Sequence, residues 1–160
     1  MKLSIVRLKD LSELVWNLKT TGKKIVLTTG VFDILNPGHL YYLKDAAKQG
    51  NVLFVGIDCD KLVRQNKGPT RPIFPQKERA ILVNGLKPVG YVIVFGNINK
   101  LIRRIKPDVF VISPTTKIVR GERLELKLVE KYGGKVAIVK SRYKKHSTDF
   151  IEKIRKAEKI

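Results

Sequence analysis

A chain of 160 residues with 43% hydrophobic residues is long enough to bury a core and too apolar to be a disordered tail. Its 33 Lys and Arg against 14 Asp and Glu leave a net charge of +19, which points to an anionic partner: nucleotide, phosphorylated metabolite, nucleic acid or membrane surface. One cysteine, Cys59, excludes an internal disulfide framework and a cysteine-rich metal site, and there are two histidines, His39 and His146. No apolar run approaches the roughly 20 residues of a membrane span, and MKLSIVRLKD carries charges where a signal peptide is apolar. The expectation is a cytoplasmic protein of one domain, residues 1–160. Much of the lysine can equally be solvated surface.

In chain order, Asp10 and Glu13 form a capping-box-like start for a helix with Leu11, Leu14, Val15 and Leu18 on one face. The run 24–29 (KIVLTT) reads as the first strand. Gly30 then allows a tight turn that brings backbone amides near a phosphate. Asn36 suits an N-cap and Pro37 a first helical turn, opening a helix lined by Leu40, Leu43 and Ala47. Such a helix start favours an anion through its dipole and free amides. Gly38 leaves room for close approach, and His39 can donate a hydrogen bond to a phosphate oxygen. From spacing alone, a plain strand-to-helix connection with a partly buried histidine fits as well.

Strands are expected again at 52–57 (VLFVGI), 91–95 (YVIVF), 109–112 (VFVI) and 136–139 (VAIV). Between them, Pro75 opens a helix with Leu82, Val83 and Leu86. Asn97 caps one with Ile98, Leu101, Ile102 and Ile105. Leu124, Leu128 and Tyr132 line a further helix ended by Gly133-Gly134, and Ser147 or Thr148 caps the last, with Phe150, Ile151 and Ile154. Nearly all-apolar strands alternating with helices predict an α/β fold, a Rossmann-like doubly wound parallel sheet of about five strands. Ligands bind such sheets outside the carboxyl ends of the strands, where strand order reverses.

TTGVFDILNPGH, followed by LYYLKDAAKQG, resembles the opening motif of the nucleotidyltransferase superfamily, G-x-F-D-x-x-H-x-G-H. Within it the chain is most similar to the glycerol phosphate cytidylyltransferase and heptose phosphate adenylyltransferase group. GIDCDKLV, KGPTRPIFPQKERA, KPDVFVI and the closing RYKKHSTDFI extend the resemblance over roughly residues 24 to 156. The resemblance implies attack by a substrate's phosphate oxygen on the α-phosphate of ATP or CTP, releasing pyrophosphate with magnesium. An anionic nucleophile needs no activating base, so positioning and charge stabilisation carry the catalysis.

By this resemblance His39, Asn36 and Lys67 are catalytic. Thr29, Gly30, Val31, Phe32, Gly38, Arg142, Ser147 and Thr148 bind nucleotide, while Asp33, Arg71 and Arg79 contact substrate or phosphate. Surface roles for Lys67 and Arg79 are the bland alternatives, and Asp60 either orients the basic segment or caps a helix. A homodimer is implied, nucleic acid and membrane are not expected as partners, and no metal-ligating side chains stand out. Three departures bear on function. The first motif histidine is Asn36, which cannot carry charge. The nucleotide-side loop is Ser113-Pro114-Thr115-Thr116, and the closing motif carries His146 and Asp149. Asn36 and the Ser113–Thr116 loop motivate one alternative, a catalytically impaired nucleotide-binding regulator, and the +19 charge alone motivates another, a basic nucleic-acid-binding module.

Overall fold

The computed structural model describes residues 4–114, 124–140, 143 and 147–157. The five apolar runs become β1 (Ile25–Gly30), β2 (Val52–Asp58), β3 (Tyr91–Phe95), β4 (Val109–Ile112) and β5 (Lys135–Ile138). All pair in parallel, in the order β3-β2-β1-β4-β5. The helices are α1 (Leu11–Thr20), α2 (Pro37–Ala47), α3 (Asp60–Lys67), α4 (Gln76–Asn84), α5 (Ile98–Ile105), α6 (Leu124–Lys131) and α7 (Ser147–Ala157). This is the doubly wound α/β architecture that the sequence predicts.

Alternate residues of each strand feed two cores. Ile25, Leu27, Phe54, Ile93, Phe110 and Ile112 pack with α1, α5 and α6 through Leu11, Val15, Leu101, Ile102, Ile105 and Val129. Val26, Leu53, Val55, Ile57, Val109 and Val111 pack with α2 and α4 through Tyr42, Leu43, Ala46, Ala80 and Val83. A strand buried on both faces has no polar side to show, which explains the missing alternation.

Strand order reverses between β1 and β4, so the crevice at their carboxyl ends is the topological switch point. One polar residue pins it from beneath. The Thr28 hydroxyl is wholly buried, donates to the Val111 carbonyl at 2.9 Å and lies 2.7 Å from the Tyr42 hydroxyl. Tyr42 also donates to that carbonyl, at 3.2 Å, so β1, β4 and α2 meet at one oxygen.

Several local expectations change. A short 3-10 turn, Leu8–Asp10, precedes α1 and puts Asp10 at φ −92°, ψ 0° rather than in the extended conformation of a capping residue. Its carboxylate instead takes Arg7 Nε at 2.6 Å and makes no cap bond. Helix α3 is additional to the helices expected from periodicity. Leu82, Leu124 and Ile154, assigned to apolar faces, are exposed. Asn97 does cap α5, accepting from the Lys100 amide at 2.9 Å, and Gly133 follows α6 at φ 84°. Among the described residues no helix is long and apolar enough to cross a membrane.

Candidate active site

β1 delivers Gly30 to the crevice, and residues 31–36 carry the chain to α2. The left-handed residue in this turn is Phe32, at φ 49°, and not Gly30. Its ring is buried and lies 5.4 Å from the His39 imidazole. A Cβ on Gly30 would stand 2.9 Å from Phe32 Cε2. The glycine is therefore needed for the space the ring fills rather than for its own φ.

Asn36 caps α2 from an extended backbone, φ −145° and ψ 169°. Its Oδ1 accepts from the Gly38 amide at 2.9 Å and the His39 amide at 3.4 Å, and its backbone N–H donates to His39 Nδ1 at 3.3 Å. This is a capping box with histidine in the place usually held by glutamate or glutamine. Nδ1 acts as the acceptor, so the neutral imidazole carries its proton on Nε2, the donor an oxyanion requires. Two features differ from expectation. The first amides of α2 are taken by Asn36 rather than free for an anion. The room beside Gly38 is filled by Asn36 Oδ1 and the Tyr143 ring, 2.9 and 3.1 Å from where a Cβ would be. Tyr143 is thus a neighbour of the start of α2 that sequence reasoning did not single out.

The second half of the site is the basic segment 67–75. Lys67 ends α3 and is exposed, and Gly68 follows at φ 94°. Partial desolvation by the surrounding segment and the Arg71 cation draw the Lys67 ammonium below its ordinary range, against the pull of Asp33 and Asp58. Asp58, at the end of β2, is pushed up by burial and drawn back by Arg79 and Lys67. Five charged groups, Asp33, Asp58, Lys67, Arg71 and Arg79, thus gather beside the β1–α2 turn.

Two of the expected substrate contacts are occupied by the protein itself. Asp33 is 2% exposed, and its carboxylate accepts from the Ile73 and Phe74 amides at 2.9 Å and pairs with Arg71 Nη2 at 2.6 Å. Arg79 is 0% exposed. Its Nε donates to the Phe74 carbonyl at 2.9 Å, Nη1 to the Val31 carbonyl, and Nη2 to the Asp58 carbonyl at 2.7 Å and Asp60 Oδ1 at 2.8 Å. Both side chains, expected from the resemblance to contact substrate or phosphate, are thus enclosed by protein groups in this structure. A buried guanidinium is stable only when its donors are satisfied, and protein oxygens satisfy these. Asp60 neither caps α3 with its side chain nor faces solvent alone, being the partner of Arg79; Gln76 Oε1 accepts from its amide at 2.9 Å.

Arg71 is mostly buried, with Nε unpartnered among the described atoms. Thr29 is half-buried, and its methyl fills the space beside Gly56 on β2. Arg142, His146, Thr115, Thr116 and the side chains of Ser147 and Thr148 lie outside the described residues. Among the described residues no three His, Cys, Asp or Glu side chains are grouped so as to hold a metal ion.

Comparison with known proteins supplies the family. The sequence profile described as cytidylyltransferase-like matches residues 27–156. The chain belongs to the cytidylyltransferase-like family. Among curated relatives it is 36% identical over 150 residues to the bifunctional protein HldE of Desulfatibacillum aliphaticivorans, covering 92% of this chain and 30% of that protein. It is 38% identical over 155 residues to HldE of Geotalea uraniireducens, covering 94% and 31%. The chain therefore spans about a third of the length of the curated relatives it matches. Among solved structures, a lipopolysaccharide core biosynthesis protein from Thermoplasma volcanium is 34% identical with TM-score 0.65, covering 78% of this chain and 100% of that one. A pantoate-beta-alanine ligase from Francisella tularensis, at 17% identity, TM-score 0.66 and 99% and 79% coverage, shares the fold. As a cytidylyltransferase-like chain, the protein carries the family's opening motif on the turn where β1 meets α2, at the switch point of the sheet.

Proposed function

We propose that this chain transfers a nucleoside monophosphate from ATP or CTP to a small phosphorylated sugar, polyol or alcohol, releasing pyrophosphate. The observation that carries the reading is the Asn36–His39 capping box, which fixes the His39 imidazole through Nδ1 at the start of α2 beside the β1–α2 turn. Membership of the cytidylyltransferase-like family and the similarity to HldE support a sugar phosphate as acceptor. So does the Thermoplasma protein's assignment to lipopolysaccharide core biosynthesis.

In the reaction an acceptor phosphate oxygen forms a bond to the α-phosphorus, the bond from that phosphorus to the bridging oxygen of the β-phosphate breaks, and pyrophosphate leaves with the electron pair. The nucleophile arrives as an anion, so no side chain has to remove a proton. His39 Nε2–H donates to an α-phosphoryl oxygen as negative charge grows there. Lys67 lies near enough to the Asp33–Arg71 pair to sense both charges, and its ammonium serves the phosphates of either substrate. Gly30, Val31, Phe32 and Gly38 shape the turn around the triphosphate, while Arg142, Ser147 and Thr148 in the closing motif hold its outer end. Magnesium, carried by the triphosphate itself, would supply neutralisation of its phosphate charge, while Lys67 supplies a fixed cation beside it. On the family resemblance, the proposed active form is a homodimer.

The test is pyrophosphate release from ATP and CTP, each with a panel of sugar, polyol and alcohol phosphates and magnesium. One combination is expected to turn over in the wild type and to be lost in His39→Ala. Tight triphosphate binding without turnover on any acceptor would instead favour the regulator, which the neutral Asn36 at the first motif histidine makes the second reading.

A further inference from the structure

We infer that Arg79 is a positioning residue for the transfer: from inside the protein it locks the β1–α2 turn and the basic segment into one arrangement. The inference rests on the transferase reading for its kinetic arm only. Three separate pieces of chain converge on this guanidinium. They are Val31 in the turn, Asp58 and Asp60 where β2 passes into α3, and Phe74 before α4. Each is reached by a different donor or edge of the planar fork, which no other side chain could replace in this geometry.

The connections form a closed circuit. Arg79 holds the Phe74 carbonyl while Asp33 holds the Phe74 amide, and Asp33 belongs to the same turn as Val31. The segment between Asp60 and Phe74 is therefore fixed at both ends by one cation, and Lys67 and Arg71 lie between those ends. Arg71 cannot shift relative to the turn without breaking its pair with Asp33, and Lys67 ends the helix whose first residue, Asp60, is held by Arg79. A buried ion pair adds little net stability over an apolar core of the same volume. What Arg79 supplies in return for its desolvation is registry between the two halves of the site.

The test compares full-length wild type with Arg79→Gln, Arg79→Lys and Arg79→Gly. Amide hydrogen exchange without ligand is followed at Ile73, Phe74 and residues 31–36, alongside the calorimetric affinity for ATP or CTP and kcat for pyrophosphate release. The expected result is faster exchange confined to those amides, with strand-core amides unchanged. A loss of about 100-fold in kcat is expected to exceed any loss in triphosphate affinity, as for a displacement of catalytic groups by about 1 Å. Lysine, which cannot span the acceptors, is not expected to restore kcat; added guanidinium is expected to restore part of it in Arg79→Gly, and added methylammonium is not.

Unchanged exchange at Ile73 and Phe74 in Arg79→Gln overturns the inference. So does a loss of triphosphate affinity as large as the loss in kcat, the mark of a direct contact. Failure of all three variants to fold overturns it too, because Arg79 would then serve stability. If the wild type turns over no substrate the transferase reading fails, while the exchange measurement still decides the role of Arg79.

Discussion

His39 matters through which nitrogen bears the proton. The Asn36 backbone N–H occupies Nδ1, so Nε2–H is the donor in the neutral ring. His39→Ala is expected to lower kcat by about 100-fold or more in the pyrophosphate assay, with the fold intact by circular dichroism. Asn36→Ala removes the acceptor for the Gly38 and His39 amides and is expected to cost about 1 kcal/mol in urea unfolding. Tyr42 gives a prediction in pH. Burial pushes its phenol from 10.0 up to about 12, so above pH 10 the unfolded chain ionises first and pulls the equilibrium away from the fold. Stability contributed by the neutral phenol is present below pH 10 and lost toward pH 12. At pH 11 the loss is about 1 kcal/mol, seen as a difference in pH slope between wild type and Tyr42→Phe. A parallel slope in the two proteins would count against it. Asn36 as a cap is legible in the sequence, because an N-cap needs only a short acceptor before Pro37. The engagement of Arg79 and Asp33 is not, since their partners lie up to 48 residues away and only the folded sheet brings them together.

At the scale of elements, the site is two chain segments meeting over the end of β1. One is the turn into α2, the other the segment from α3 into α4. Gly30→Ala tests how tightly the first is packed. Its new methyl would lie 2.9 Å from Phe32 Cε2, displacing the ring that rests against His39. The expected outcome is a loss of about 1–3 kcal/mol in urea unfolding, together with a lower kcat. Strand positions were readable because each buried strand is a continuous apolar run set off by polar residues. Helix α3 was harder to see: its sequence DKLVRQNK has one buried residue, Val63, and no apolar stripe. Leu82 and Leu124 depart from the expected apolar faces for the opposite reason. Periodicity locates an apolar stripe but not what covers it, and both residues are exposed here.

Over the whole molecule, strand order and charge act together. The order β3-β2-β1-β4-β5 puts the first loop at the reversal point, which is why the first strand-to-helix connection in the sequence carries the site. The alternation of runs and helices made that architecture legible before any contact was known. In the proposed function the net charge of +19 adds a field that attracts the triphosphate. Raising ionic strength from about 0.1 M to about 1 M shortens the Debye length from about 10 Å to about 3 Å. The KM for the triphosphate is therefore expected to rise severalfold in steady-state kinetics, with kcat nearly unchanged, because the contact proposed for His39 acts at hydrogen-bonding distance. A fall in kcat with KM constant would mean the field acts elsewhere.

The most direct measurement is a crystal structure of the chain with magnesium and a triphosphate whose α–β bridge cannot be cleaved. The account predicts the α-phosphate at the β1–α2 turn within hydrogen-bonding distance of His39 Nε2, with Arg79 still enclosed by Val31, Asp58 and Phe74. A triphosphate bound away from this turn, or at it with the imidazole directed elsewhere, would contradict the account.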